Sequence, residues 1–100
     1  MAKPKRLSPI HPGEVLREIL DEADLTVNAF ATALRVPPNR IGAIVKGQRG
    51  ITADTALRLA RYFETSAQMW VNLQAKYDLA VAEHALSVRI AREVLPRSAA

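Results

Sequence analysis

One hundred residues with 14 Lys and Arg against 10 Asp and Glu carry a formal charge of +4; 49% are apolar but only 5% aromatic, so Ala and Leu must build much of any core. That length suits one small domain near the lower limit of self-sufficient burial, which favours a homodimer. The lack of cysteine excludes disulfides and thiolate metal sites and fits a cytoplasmic protein; no apolar run nears the roughly 20 residues that span a bilayer, and none follows the basic start as in a signal peptide.

Residues 1–10, with Lys3, Lys5 and Arg6 among Pro4 and Pro9, read as a flexible basic arm. Residues 11–80 hold the patterned domain, and 81–100 a C-terminal helical extension. Pro12 suits a first helical turn, and Val15, Leu16, Ile19, Leu20 and Ala23 then form one apolar stripe, with Glu14, Arg17, Glu18 and Asp21 on the other side. Thr26 is an N-cap for a second helix in which Phe30, Ala31 and Leu34 face inward, and Arg35-Val36-Pro37 ends it. A third helix runs from about Pro38 to Val45 and stops at Gly47. Gly50-Ile51-Thr52 is a loop and cap before a fourth helix, about Ala53 to Phe63, with Asp54 near its positive end and Arg58 and Arg61 toward its negative end.

Thr65 or Ser66 caps a fifth helix, in which Trp70, Leu73, Tyr77 and Val81 recur at i, i+3, i+7 and i+11. The Ala-rich tract to Leu95 continues it until Pro96, and a second stripe, Leu79, Ala82, Leu86 and Ile90, starts on another side. Such a helix has more apolar surface than a lone domain can cover. The dimer interface is therefore expected on it, through Trp70, Leu73, Tyr77 and Val81. The fold class is all-α, five helices, the last extended.

Charge is segregated along the chain. From Leu7 to Asp24, Arg17 stands against Glu14, Glu18, Asp21, Glu22 and Asp24, whereas from Leu25 to Arg61 six basic residues stand against Asp54 alone. A compact helix pair whose polar side is cationic fits a polyanion. On the third helix Ile41, Ile44 and Val45 share one side, and Asn39, Ala43 and Lys46 the opposite one, with Arg40 and Gly42 on the flanks. A face so narrow, polar and unobstructed matches a DNA major groove. Asn39 can pair with adenine, Arg40 with guanine or a phosphate, and Ala43 can touch a thymine methyl. Lys46, Gln48 and Arg49 would graze the sugar-phosphate backbone, and the helix-two N-terminus at Thr26 to Asn28 offers N–H groups to another phosphate. Singly each has an ordinary explanation: Asn39 a polar helix start, Arg40 a solvated charge, Gly42 an accommodation to a neighbouring helix. Together, on the second helix of a pair, they point to double-stranded DNA. His11 and His84 lie in distant segments with no nucleophile or carboxylate at triad-like spacing. No phosphate loop or metal-spaced cluster occurs, so neither catalysis nor a cofactor is expected.

His11-Pro12-Gly13-Glu14, Asn39-Arg40-Ile41, the run GQRGITADTALRLARYF from Gly47, Trp70, Asn72-Leu73-Gln74-Ala75 and Tyr77-Asp78-Leu79 closely resemble the HigA-type antitoxins, a branch of the Xre/Cro-like helix-turn-helix family. The resemblance covers residues 7 to 80. It implies a lambda-repressor-like five-helix domain, a homodimer on a palindromic operator acting as an autorepressor, and neutralisation of a RelE-like ribonuclease toxin encoded beside it. Such toxins are small and basic, which suggests a use for Glu14, Glu18 and Asp21 on the outer face of the first helix. The alternative is a stand-alone Xre-type regulator with the same DNA face. Arg35 and Glu64 stand where the family usually has Gly, Val27 where it often has Gln, and Pro38 where a basic or polar residue is usual.

Overall fold

The computed structural model describes residues 9–99, so the expected basic arm lies outside it except for Pro9 and Ile10. Five helices form: α1 (Pro12–Glu22), α2 (Val27–Leu34), α3 (Pro38–Val45), α4 (Ala53–Phe63) and α5 (Ala67–Glu93), followed by a short 3-10 turn, Arg97–Ala99. The described residues form no strand.

Side chains start most of these helices. Thr26 Oγ1 accepts from the Ala29 N–H at 3.1 Å, and Ser66, rather than Thr65, caps α5 by accepting from Met69 N–H at 3.2 Å. At α1 an imidazole replaces the usual hydroxyl. His11 Nδ1 accepts from the Gly13 N–H at 2.8 Å, and Glu14 Oε2 accepts from the His11 N–H at 2.9 Å, which completes a capping box.

The helix ends share a device. After each of α1, α2, α3 and α4 one residue turns left-handed, and the next N–H closes back on the last turn. The bonds are Leu25 to the Leu20 carbonyl, Val36 to Ala31, Gln48 to Ala43 and Thr65 to Ala60, each 2.9–3.0 Å. Gly47 takes this conformation without penalty at φ 75°, but Asp24 (54°), Arg35 (61°) and Glu64 (54°) take it against a cost of about 1–2 kcal/mol each. Burial of Val36 in the residue after Arg35 helps hold that turn.

The core is the set of inward stripes: Leu16 and Leu20 of α1, Phe30, Ala31 and Leu34 of α2, Ile41 and Ile44 of α3, Ala56 and Leu59 of α4, closed by Val36, Ile51 and Trp70. Phe63 stacks between Phe30 (centroids 5.6 Å) and Trp70 (6.2 Å). The head of the first stripe of α5 is therefore part of the protomer's own core. Trp70 is 1% exposed within the single chain, so it cannot serve a dimer interface. Leu73 packs on the same core, and Tyr77 sets its ring edge-on to His11 at 4.8 Å. Of the four expected interface residues only Val81 is exposed. Helical spacing reveals that a helix has an apolar face, not whose surface covers it.

The helix passes residue 80 without interruption and then runs on past the core. Leu79, Leu86, Val88 and Ile90 are all exposed on it, as are Val94 and Leu95 just beyond. This accounts for a radius of gyration of 17.1 Å, against about 13 Å for a compact chain of this length. No described helix is long and apolar enough to cross a membrane.

Candidate nucleic-acid interface

Helix α3 is pinned by Ile41 and Ile44, both fully buried, with Val45 half-buried beside them. Its other side carries Asn39 and Lys46, both exposed, with Gly42 and Ala43 partly so. Gln48 and Arg49 follow, exposed, in the loop to α4. Asn28 is exposed at the positive end of α2, next to Thr26, whose hydroxyl is engaged as the cap. The described part of α5 packs on α4 and α1, and α3 packs on α2 and α1, so the expected reading edge faces outward.

Arg40 departs from expectation. Although the sequence from Asp24 to Asp54 has no carboxylate between its ends, folding carries Asp54 of α4 onto α3. Arg40 Nη1 donates to Asp54 Oδ1 at 3.1 Å, and the same oxygen accepts from Arg58 Nε at 2.8 Å. Arg58 in turn donates through Nη1 to the Leu34 carbonyl at 2.9 Å and to the Arg35 carbonyl at 3.5 Å, satisfying the C-terminal end of α2. The carboxylate thus ties α4 to α3, and Arg58, which it braces, ties α4 to the end of α2. The Arg58 hydrogen bond, with the charges of Arg58 and Arg40, holds the Asp54 carboxyl below the ordinary carboxylate range against its desolvation. Its folded pKa lies below its unfolded one, so this link is fully present above the ordinary carboxylate range and is lost as pH falls through the folded value. Nothing local in the sequence marks Asp54 as part of this face.

Gly42 also becomes informative. A Cβ built there would meet no atom of another described element within 4 Å, so glycine is not an accommodation to a neighbouring helix. Glycine in a helix interior costs roughly 0.5–1 kcal/mol relative to alanine. Gly42→Ala is therefore expected to raise stability by about that amount in urea unfolding while weakening DNA binding. Unchanged DNA affinity in the stabilised variant would assign Gly42 no part in the interface.

On the acidic side, Glu18 and Asp21 are exposed along the outer face of α1, as is Glu14. Glu14 has a local task, because its carboxylate completes the α1 capping box. Gln74 makes a tertiary contact that no local sequence signal announces. Its Oε1 accepts from the Ile51 N–H at 2.8 Å and so fastens α5 to the loop entering α4.

An all-helical domain with a cationic, groove-sized helix held across its predecessor by a short turn is a helix-turn-helix DNA-binding protein. Residues 16–70 match the helix-turn-helix family. The virulence-associated protein I of Dichelobacter nodosus is 60% identical over 75 residues, 74% of this chain and 69% of that protein. Among solved structures, the Pseudomonas aeruginosa antitoxin HigA with the higBA promoter is 52% identical with a TM-score of 0.86, covering 89% of this chain and 98% of that one. Antitoxin GraA in complex with its operator is 35% identical with a TM-score of 0.85, covering 95% and 97%. The chain belongs to the helix-turn-helix family, in its HigA-type antitoxin branch, whose members are DNA-binding regulators and not enzymes.

Proposed function

We propose that this protein is an autorepressing antitoxin. Two copies place their α3 helices in successive major grooves of a palindromic operator, with half-sites about 34–36 Å apart. The same chain neutralises a RelE-like ribonuclease toxin, and it works in the cytoplasm, where its operator is. The observation that carries the DNA reading is the outward polar edge Asn39-Ala43-Lys46 on a helix anchored by Ile41 and Ile44. The operator-bound state of relatives 35–52% identical supports it.

Within this reading Asn39, Arg40 and Ala43 address bases. Lys46, Gln48, Arg49 and the α2 start at Thr26 and Asn28 address phosphates. Glu18 and Asp21, with Glu14, form the acidic face offered to a basic toxin. The homodimer is assigned to the stripe Leu79, Ala82, Leu86 and Ile90 of α5, whose three large side chains are exposed, since Trp70 at the head of the other stripe is taken up by the protomer's own core.

The test is a binding titration against the gene's own promoter and a random duplex, at two salt concentrations. Arg40→Ala is expected to cost about 1–3 kcal/mol on the promoter and much less on random DNA. Lys46→Ala should weaken both alike and reduce the slope of log K against log salt by about one. Equal losses for the two variants on both duplexes would overturn these roles.

A further inference from the structure

Asp54 is the one carboxylate among residues 25–61, and it lies on the side of the molecule that a polyanion would approach. A negative charge there opposes DNA, so its place on Arg40 calls for a reason. Arg58, fixed by the Leu34 carbonyl, holds the carboxylate from one side, and the carboxylate holds Arg40 from the other. The Arg40 side chain is only 25% exposed, and its Nε is sealed from solvent. An unrestrained surface arginine can sweep to whichever phosphate is nearest, but this one is tied to a single direction beside the first turn of α3. A guanidinium has five N–H donors and the Asp54 contact occupies only one, so donors remain for a base edge.

We propose that Asp54 is a positioning residue for DNA specificity: it orients Arg40 for base reading and withholds it from indiscriminate phosphate contact. The proposal rests on the reading of α3 as the DNA-recognition helix and assigns the discrimination to a residue outside that helix. A carboxylate that only stapled α4 to α3 would affect stability, and both specific and non-specific DNA, in the same direction.

The discriminating experiment is a fluorescence-anisotropy titration of a duplex from the promoter of this gene and a shuffled duplex of equal length. The proteins are wild type, Asp54→Asn, Asp54→Glu, Arg40→Ala and the double variant Arg40→Ala with Asp54→Asn. Asparagine keeps an acceptor for Arg58 but removes the charge. Promoter affinity should fall about ten-fold, while affinity for the shuffled duplex holds or rises because a negative charge is gone. Asp54→Glu keeps the charge but displaces it, and should lose promoter affinity with the shuffled duplex unchanged. The double variant should discriminate no worse than Arg40→Ala alone, since the two residues act through one contact. Parallel losses or parallel gains on both duplexes in Asp54→Asn would overturn the proposal. If Arg40→Ala leaves discrimination intact, the base-reading role of Arg40 fails and the proposal with it. A wild type that does not distinguish the duplexes refutes the operator reading itself, whatever the Asp54 variants do.

Discussion

Gly13→Ala is expected to destabilise the fold by about 3 kcal/mol and to lower the melting temperature of this small domain by roughly 12–20 °C. At this point α1 runs against the end of α3, and a Cβ on residue 13 would fall on the Ile44 carbonyl, with the Ile44 carbonyl carbon and His11 Nδ1 the next atoms met. Two of those three atoms are backbone, so no rotamer change relieves the overlap. The first turn of α1 would have to lift, loosening the His11 cap and opening the contact among Leu16, Ile41 and Ile44. Intrinsic helix propensity pushes the other way, because alanine is favoured over glycine by about 1 kcal/mol in a helix. The sign of the effect is therefore diagnostic. The same substitution at Gly42, where no atom of another described element is near, should stabilise. Thermal and urea unfolding followed by circular dichroism would measure both, and a Gly13→Ala protein as stable as wild type would refute the close approach.

This pair of glycines marks the boundary of what the sequence makes legible. Stripes such as Leu16-Leu20 and Ile41-Ile44 announce their helices because 3.6-residue spacing needs no knowledge of the partner surface. Caps such as Thr26 and Ser66 are equally local, and the observed helix ends fall close to the expected ones. Pairwise tertiary events are not written that way. The spacing of Trp70, Leu73 and Tyr77 fits a dimer seam as well as a docking face, and only the fold reveals that Phe63 and the core already cover Trp70. Asp54 sits 14 residues from Arg40 on another helix, so the stretch around Arg40 looks free of acid until α4 folds back on it. The left-handed turns at Arg35 and Glu64 are a third case. Glycine is the usual marker of that conformation, and here closing bonds such as Val36 N–H to the Ala31 carbonyl hold it without glycine.

The second large effect concerns the protruding part of α5. Its 27 residues make a rod about 40 Å long, and the stretch past the core carries Leu79, Leu86 and Ile90 at 61, 40 and 49% exposure. Apolar side chains on a solvated rod gain about 25 cal/mol for each Å² they bury, and a second copy presents the same stripe to complete the contact. Leu86→Asp with Ile90→Asp puts two charges into that stripe without touching the core, because both residues lie on the part of the helix that runs past it. The variant is therefore expected to keep its helical content and become monomeric at micromolar concentration in sedimentation or light scattering. Its affinity for a single half-site duplex should be unchanged. Affinity for the full promoter should fall about 10²-fold or more, since each half then binds without the effective concentration supplied by its tethered twin. A variant that still sediments as a dimer would move the interface elsewhere on the molecule. A wild type that is monomeric at the same concentration would remove the dimer, and with it the reason for a two-fold symmetric operator.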